Sequence, residues 1–182
     1  MLALGALMAI AQAAGEPAFR DFPAESHHRR PECVAVQVTS PQLPRPRAAR
    51  HVFSATRILD IEFQTMLRRR VQGPHTLQLK LYTPKGHLYQ ILTVPFTAPG
   101  RGEAEGEKPG KRWVDGHPEP VDEQEAQAVR FEGFHRHQVN AILPVAGTLI
   151  TNNSLYGQWR VEPQLDDDPE PCGPPESFFI KP

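Results

Sequence analysis

The chain has 182 residues, enough for one domain with a proper core but hardly for two. Its 20 basic and 21 acidic residues leave a net charge of −1, which argues against nucleic acid or an anionic membrane surface as the main partner. Hydrophobic residues make up only 39% and prolines number 20, so part of the chain is expected to stay outside the packed core.

An apolar run from Leu2 to Ile10 precedes Ala11-Gln12-Ala13, a small-x-small cleavage pattern. Residues 1–13 therefore read as a secretory signal, and the expected location is the periplasm or the extracellular space. The competing reading is a buried helix of the domain; a membrane span needs roughly 20 apolar residues and is excluded. Residues 14–31, polar and without periodicity, read as a flexible leader, and the domain as 32–182. Cys33 and Cys172 are the two cysteines. In an exported chain they are expected to form one disulfide tying the first strand to the C-terminal tail, against the alternative of two buried thiols.

From Cys33, Val34, Val36 and Val38 alternate with Ala35, Gln37 and Thr39, the period of a half-buried strand, here an edge strand ending at the Pro41, Pro44 and Pro46 connector. In Arg57 to Leu67, Leu59, Ile61, Phe63 and Thr65 share one parity and are the expected core face. Arg68-Arg69-Arg70 reads as a solvated strand end.

The stretch LYTPKGHLYQ, residues 81–90, is a hairpin: Pro84 pre-sets φ at the second turn position and Gly86 accepts the left-handed conformation after it. A three-residue loop pairs Thr83 with His87, Leu81 with Tyr89 and Leu79 with Ile91. That register places Tyr82, Leu88 and Leu92 together on the opposite, wet face. It makes them the candidate partner surface, unless another segment covers them. A one-residue shift would exchange the two sets on the second strand.

Residues 97–136 read as a loop excursion, with a short helix over 122–130 capped at Asp122 and carrying Glu125 three residues on. HQVNAILPVAGTLIT, from His137, is expected as two strands or one bent strand divided by Pro144 and Gly147. In Leu155 to Leu165, Leu155, Gly157, Trp159 and Val161 share a face, with Trp159 as core anchor. SFFIK, from Ser177, adds a last strand. About seven short strands with turn signals between them predict an all-β fold, a single antiparallel sandwich.

The segments Tyr82-Thr83-Pro84-Lys85-Gly86 and Tyr156-Gly157-Gln158-Trp159-Arg160-Val161, with the acidic turn Asp166-Asp167-Asp168, resemble the immunoglobulin-like β-sandwich modules of exported bacterial proteins. The resemblance runs from about Cys33 to Ile180. It implies a non-enzymatic interaction or accessory role in the cell envelope or secretome. Cys33 and Cys172 lie outside the central strands, unlike the inter-sheet cysteines of antibody domains.

His135 and His137 have an H-x-H spacing that suits metal ligation, but no further ligand is nominated nearby. Asp166 to Asp168 would suit a hard cation, yet the spacing matches no EF-hand, and a strand-ending turn is the simpler reading. No nucleophile elbow surrounds any serine, and no phosphate loop is present, so no catalytic, cofactor or metal residue is assigned. A small hydrolase or metal-binding protein stays a distant alternative. The first expectation is a protein partner. The second is a carbohydrate-binding module using Tyr82, Tyr156 or Trp113 as stacking platforms, although aromatics at 8% are ordinary.

Overall fold

Strict alternation of apolar and polar residues shapes most of the chain. The structure, a computed structural model, describes residues 31–43, 51–100, 110–114 and 117–182; the expected signal, the leader up to residue 30 and residues 101–109 of the excursion lie outside them. Among the described residues the strands are β1 (Cys33–Thr39), β2 (Val52–Ser54), β3 (Asp60–Arg68), β4 (Gly73–Tyr82), β5 (Leu88–Ala98), β6 (Lys111–Arg112), β7 (Val121–Asp122), β8 (Gln124–Glu125), β9 (Gln127–Phe131), β10 (Phe134–Pro144), β11 (Gly157–Leu165) and β12 (Glu176–Lys181). One short helix, α1 (Leu149–Asn152), lies between β10 and β11.

These strands form a four-stranded sheet in the order β1-β3-β10-β9 and a six-stranded sheet in the order β2-β12-β11-β4-β5-β8, with β6 and β7 paired apart. Most pairs are antiparallel; β2 on β12 and β8 on β5 are parallel. The all-β expectation holds, with mixed rather than purely antiparallel pairing and more strands than the seven expected. The additional ones are short pieces that are hard to see by periodicity.

The two larger sheets share one core. Ile61, Phe63 and Leu67 of β3 face Leu77, Leu79 and Leu81 of β4 and Trp159 and Val161 of β11, all fully buried. Phe63 meets Phe178 across the sheets edge to face at 5.6 Å, and Trp159 stacks on Phe178 at 6.2 Å. Trp159 is the expected anchor: its indole N–H donates to the Leu155 carbonyl at 2.9 Å, so its polar edge is not left unsatisfied on burial. Leu59, expected in this core, is 60% exposed, because Ile58 turns inward just before β3 begins.

Three local expectations fail for identifiable reasons. No helix forms over 122–130, because those residues find sheet partners. Gln124 and Glu125 pair with Phe96 and Thr97 of β5, and β9 pairs with β10 from Gln127 to Phe131. Tertiary pairing overrides the capping signal at Asp122. The same pairing makes much of the expected 97–136 loop strand. After Pro144 the chain makes α1 rather than a second strand: the Thr148 hydroxyl accepts from the Ile150 N–H at 3.2 Å, and Ile150 is fully buried.

Cys33 and Cys172 form the expected disulfide, across a sequence separation of 139 residues. A loop of that size stabilises the fold by about 3 to 5 kcal/mol through the restricted unfolded chain. Beside the bridge the Cys33 N–H donates to the Cys172 carbonyl at 2.8 Å. The next residue, Gly173, lies so close to β1 that a Cβ there would stand 2.2 Å from the Cys33 carbonyl oxygen. Gly173→Ala should therefore destabilise the domain by about 1 to 3 kcal/mol, the cost of overpacking, in urea unfolding. A midpoint equal to that of the unsubstituted chain would mean that this approach is not tight.

Candidate functional site

The hairpin forms with Gly86 at φ 80°, and Thr83 pairs with His87 as expected: the Thr83 N–H donates to the His87 carbonyl at 2.9 Å. Two residues further the register departs. A bulge lets Tyr82 pair with Leu88 but Leu81 with Gln90, so Leu79 meets Leu92 and Lys80 meets Ile91. Tyr89 is the extra residue, and its ring packs edge-on against Trp159 at 5.1 Å.

The consequence for the candidate surface is specific. Tyr82 and Leu88 lie on the outer face, as expected, whereas Leu92 turns in and packs against the core. Ile91 takes its place outside, 40% exposed beside Leu88 at 52%. Leu92 is thus a correction to the expected patch, caused by the single inserted residue.

Other residues missed by sequence reasoning complete this face. Phe179 of β12 pairs with Val52 of β2, and both point outward, at 42% and 53% exposure. The next row runs Ser177, Arg160, Tyr82, Leu88 across four neighbouring strands. From β12 to β5 the face spans about 14 Å at ordinary strand spacing. At its centre the Arg160 guanidinium lies over the Tyr82 ring at 4.5 Å and bonds Glu162 at 3.0 Å. Burial, and after it the neighbouring Glu162 carboxylate, push the Tyr82 hydroxyl above its usual range, against the pull of Arg160.

The hairpin 82–86 and the segment 156–161 meet here. Gly157 has φ 134°, and a Cβ on it would come within 2.9 Å of Pro84. The hairpin tip therefore rests on the start of β11, and this contact holds Tyr82 beside Arg160.

The outer face of the four-stranded sheet is different. Gln37, Gln64 and Asn140 stand side by side in one row, with Thr39 and Glu62 in the row beside it. They floor a cleft of about 650 Å³ whose wall includes Ser40, Pro41 and Leu43. Sequence reasoning saw each strand's alternation but not that three polar parities would coincide on one surface.

The remaining candidates do not converge. The aromatic platforms are separated: Tyr156 packs against the core, and Arg112, next to Trp113, bonds the His75 carbonyl, seven residues along β4 from Tyr82. Asp166 accepts from the Thr76 N–H and contacts His75 Nδ1, both at 3.0 Å, so its carboxylate locks a turn. His135 is exposed and His137 is buried; among the described residues no group of three or more His, Cys, Asp or Glu could hold a metal ion.

His137 is nevertheless unusual. It is 3% exposed, and neither ring nitrogen makes a well-formed hydrogen bond among the described residues; the Arg69 backbone supplies only a weak one. Burial, reinforced by the Arg69 charge and only partly offset by the Arg69 backbone, holds its pKa below the ordinary value of 6.5.

Two outcomes are expected. Leu92→Ser should destabilise the domain by about 1 to 3 kcal/mol, whereas Leu88→Ser and Ile91→Ser should each stay within about 0.5 kcal/mol of the parent in urea unfolding. Equal costs at positions 91 and 92 would contradict the bulged register. For His137, protonation favours the unfolded chain first, so stability should be full above about pH 6.5 and fall as pH drops below it. His137→Leu should flatten that slope in a series of unfolding curves; an unchanged slope would place the acid sensitivity elsewhere.

Compared with known proteins, the chain matches no family model, no curated protein and no solved structure.

Proposed function

We propose that this chain is an immunoglobulin-like β-sandwich module of an exported protein, and that it binds a protein partner without catalysis. Strand order supports the fold assignment. The sheet β1-β3-β10-β9 follows the order A-B-E-D of immunoglobulin domains, and β12-β11-β4-β5 follows G-F-C-C′ of their variable type. The position of the disulfide, from the first strand to the loop before the last, departs from that pattern. A disulfide spanning the domain is compatible with export to the periplasm or beyond, because such bonds persist in oxidising compartments.

The observation that carries the binding assignment is the outer face of the six-stranded sheet. It presents Tyr82 and Arg160 at the centre, and Phe179, Val52, Leu88 and Ile91 around them. Tyr and Arg are the residue types that dominate binding energy at protein interfaces, and surrounding apolar groups exclude water from them. The pairing of Arg160 with Tyr82 and Glu162 fixes the central side chains before a partner arrives, which lowers the entropy cost of association.

The test uses the mature chain as bait for cross-linking to envelope and secreted proteins, beside the Leu88→Ser/Ile91→Ser variant. A partner captured by the parent and lost with the folded variant is expected, as is a loss of about tenfold or more in affinity once that partner is purified, the effect of removing central apolar contacts. Equal capture by both would remove this face as the binding surface.

A further inference from the structure

The outer face of the opposite, four-stranded sheet carries a second and independent feature. Its cleft of about 650 Å³ falls within the roughly 300–1,000 Å³ of small-ligand sites. The lining is polar with few chargeable groups: amides and hydroxyls, with Glu62 the only acidic or basic side chain among the described lining residues.

The polar groups are ordered by one another. Glu62 Oε2 accepts from the Thr39 hydroxyl and from Gln64 Nε2, both at 3.3 Å, and Gln138 Nε2 donates to Asn140 Oδ1 at 2.9 Å. These bonds fix the amides while leaving outward capacity. Gln64 keeps its oxygen, Gln138 its oxygen and Asn140 its NH₂ group, and Gln37 makes no side-chain hydrogen bond within the described fold. A fixed row of groups that donate at one atom and accept at the next matches a ligand whose own groups do both, as sugar hydroxyls do. An anion would want a cation in the lining, and a cation would want more than one carboxylate.

A peptide strand is the other occupant that hydrogen-bonds to sheets, but it pairs with open main-chain groups at an edge. In the floor of this cleft the main chains of β3 and β10 are committed to each other from Asp60 to Arg68, and only side chains face the ligand. Leu43 and Pro41 in the wall offer apolar surface for the C–H face of a ring. We propose that this cleft is a binding site for a neutral saccharide, distinct from the protein-binding face on the other sheet.

The experiment is a titration of the intact, ¹⁵N-labelled chain with neutral hexasaccharides of the gluco, manno, xylo and N-acetylglucosamine series, following the side-chain NH₂ resonances. At least one series should shift the amides of Gln37, Gln64, Gln138 and Asn140 saturably. Gln64→Leu/Asn140→Leu should weaken that binding by about tenfold or more, the effect of losing hydrogen bonds to the ligand, and Leu88→Ser/Ile91→Ser should not. If the double variant melts early, Gln37→Leu carries the same expectation, because its amide supports nothing else in the described fold. The proposal is overturned if no series shifts these amides at about 10 mM, where even a millimolar site would fill. Shifts confined to other residues, or binding indifferent to the cleft variants, would overturn it equally.

Discussion

One inserted residue in β5, Tyr89, decides which side of the sheet each later side chain of that strand occupies. Because side chains alternate with a period of two, an extra residue exchanges inside for outside along the strand beyond it. The insertion is held by packing: Tyr89 meets the buried Trp159 at 5.1 Å, and Trp159 in turn stacks on Phe178. With Tyr89 turned toward the tryptophan, Leu92 falls opposite Leu79 in the core and Ile91 opposite Lys80 in solvent. The core and the proposed partner surface are thus two outcomes of one register.

The same region joins the two parts of the chain that form the centre of the binding face. Pro84 at the hairpin tip packs on Gly157, where β11 begins, and Arg160 then reaches Tyr82. At the far end of the core the Cys33–Cys172 bridge ties β1 to the loop before β12. Both outer faces are therefore carried on a scaffold whose strands are pinned at each end. That is the condition under which an open sheet surface keeps its side chains in place for a partner.

Much of this could be read from residues alone. Alternation identifies β1, β3 and β11, the apolar SFFIK points to β12, and the hairpin of β4 and β5 follows from Pro84 and Gly86. Trp159 stood out as an anchor, and Cys33 and Cys172 as a bridge. What stayed hidden depends on partners distant in sequence. No local signal shows that Asp122 to Arg130 will find β5 and β10 instead of closing helical bonds. The bulge at Tyr89 is written in its contact with Trp159, seventy residues away. Phe179 and Val52 join the apolar face only because β2 lies parallel on β12, and the amide cleft exists only because β1, β3 and β10 align their polar parities.

The most direct check of the bulged register is a nuclear Overhauser experiment on the selectively methyl-labelled chain, reading the cross-strand partner of Leu79. Contacts from the Leu79 methyls to those of Leu92, with Ile91 showing none to the core, are the predicted result. Contacts from Leu79 to Ile91, with Leu92 outside, would restore the unbulged hairpin and contradict the assignment of both the core and the binding face.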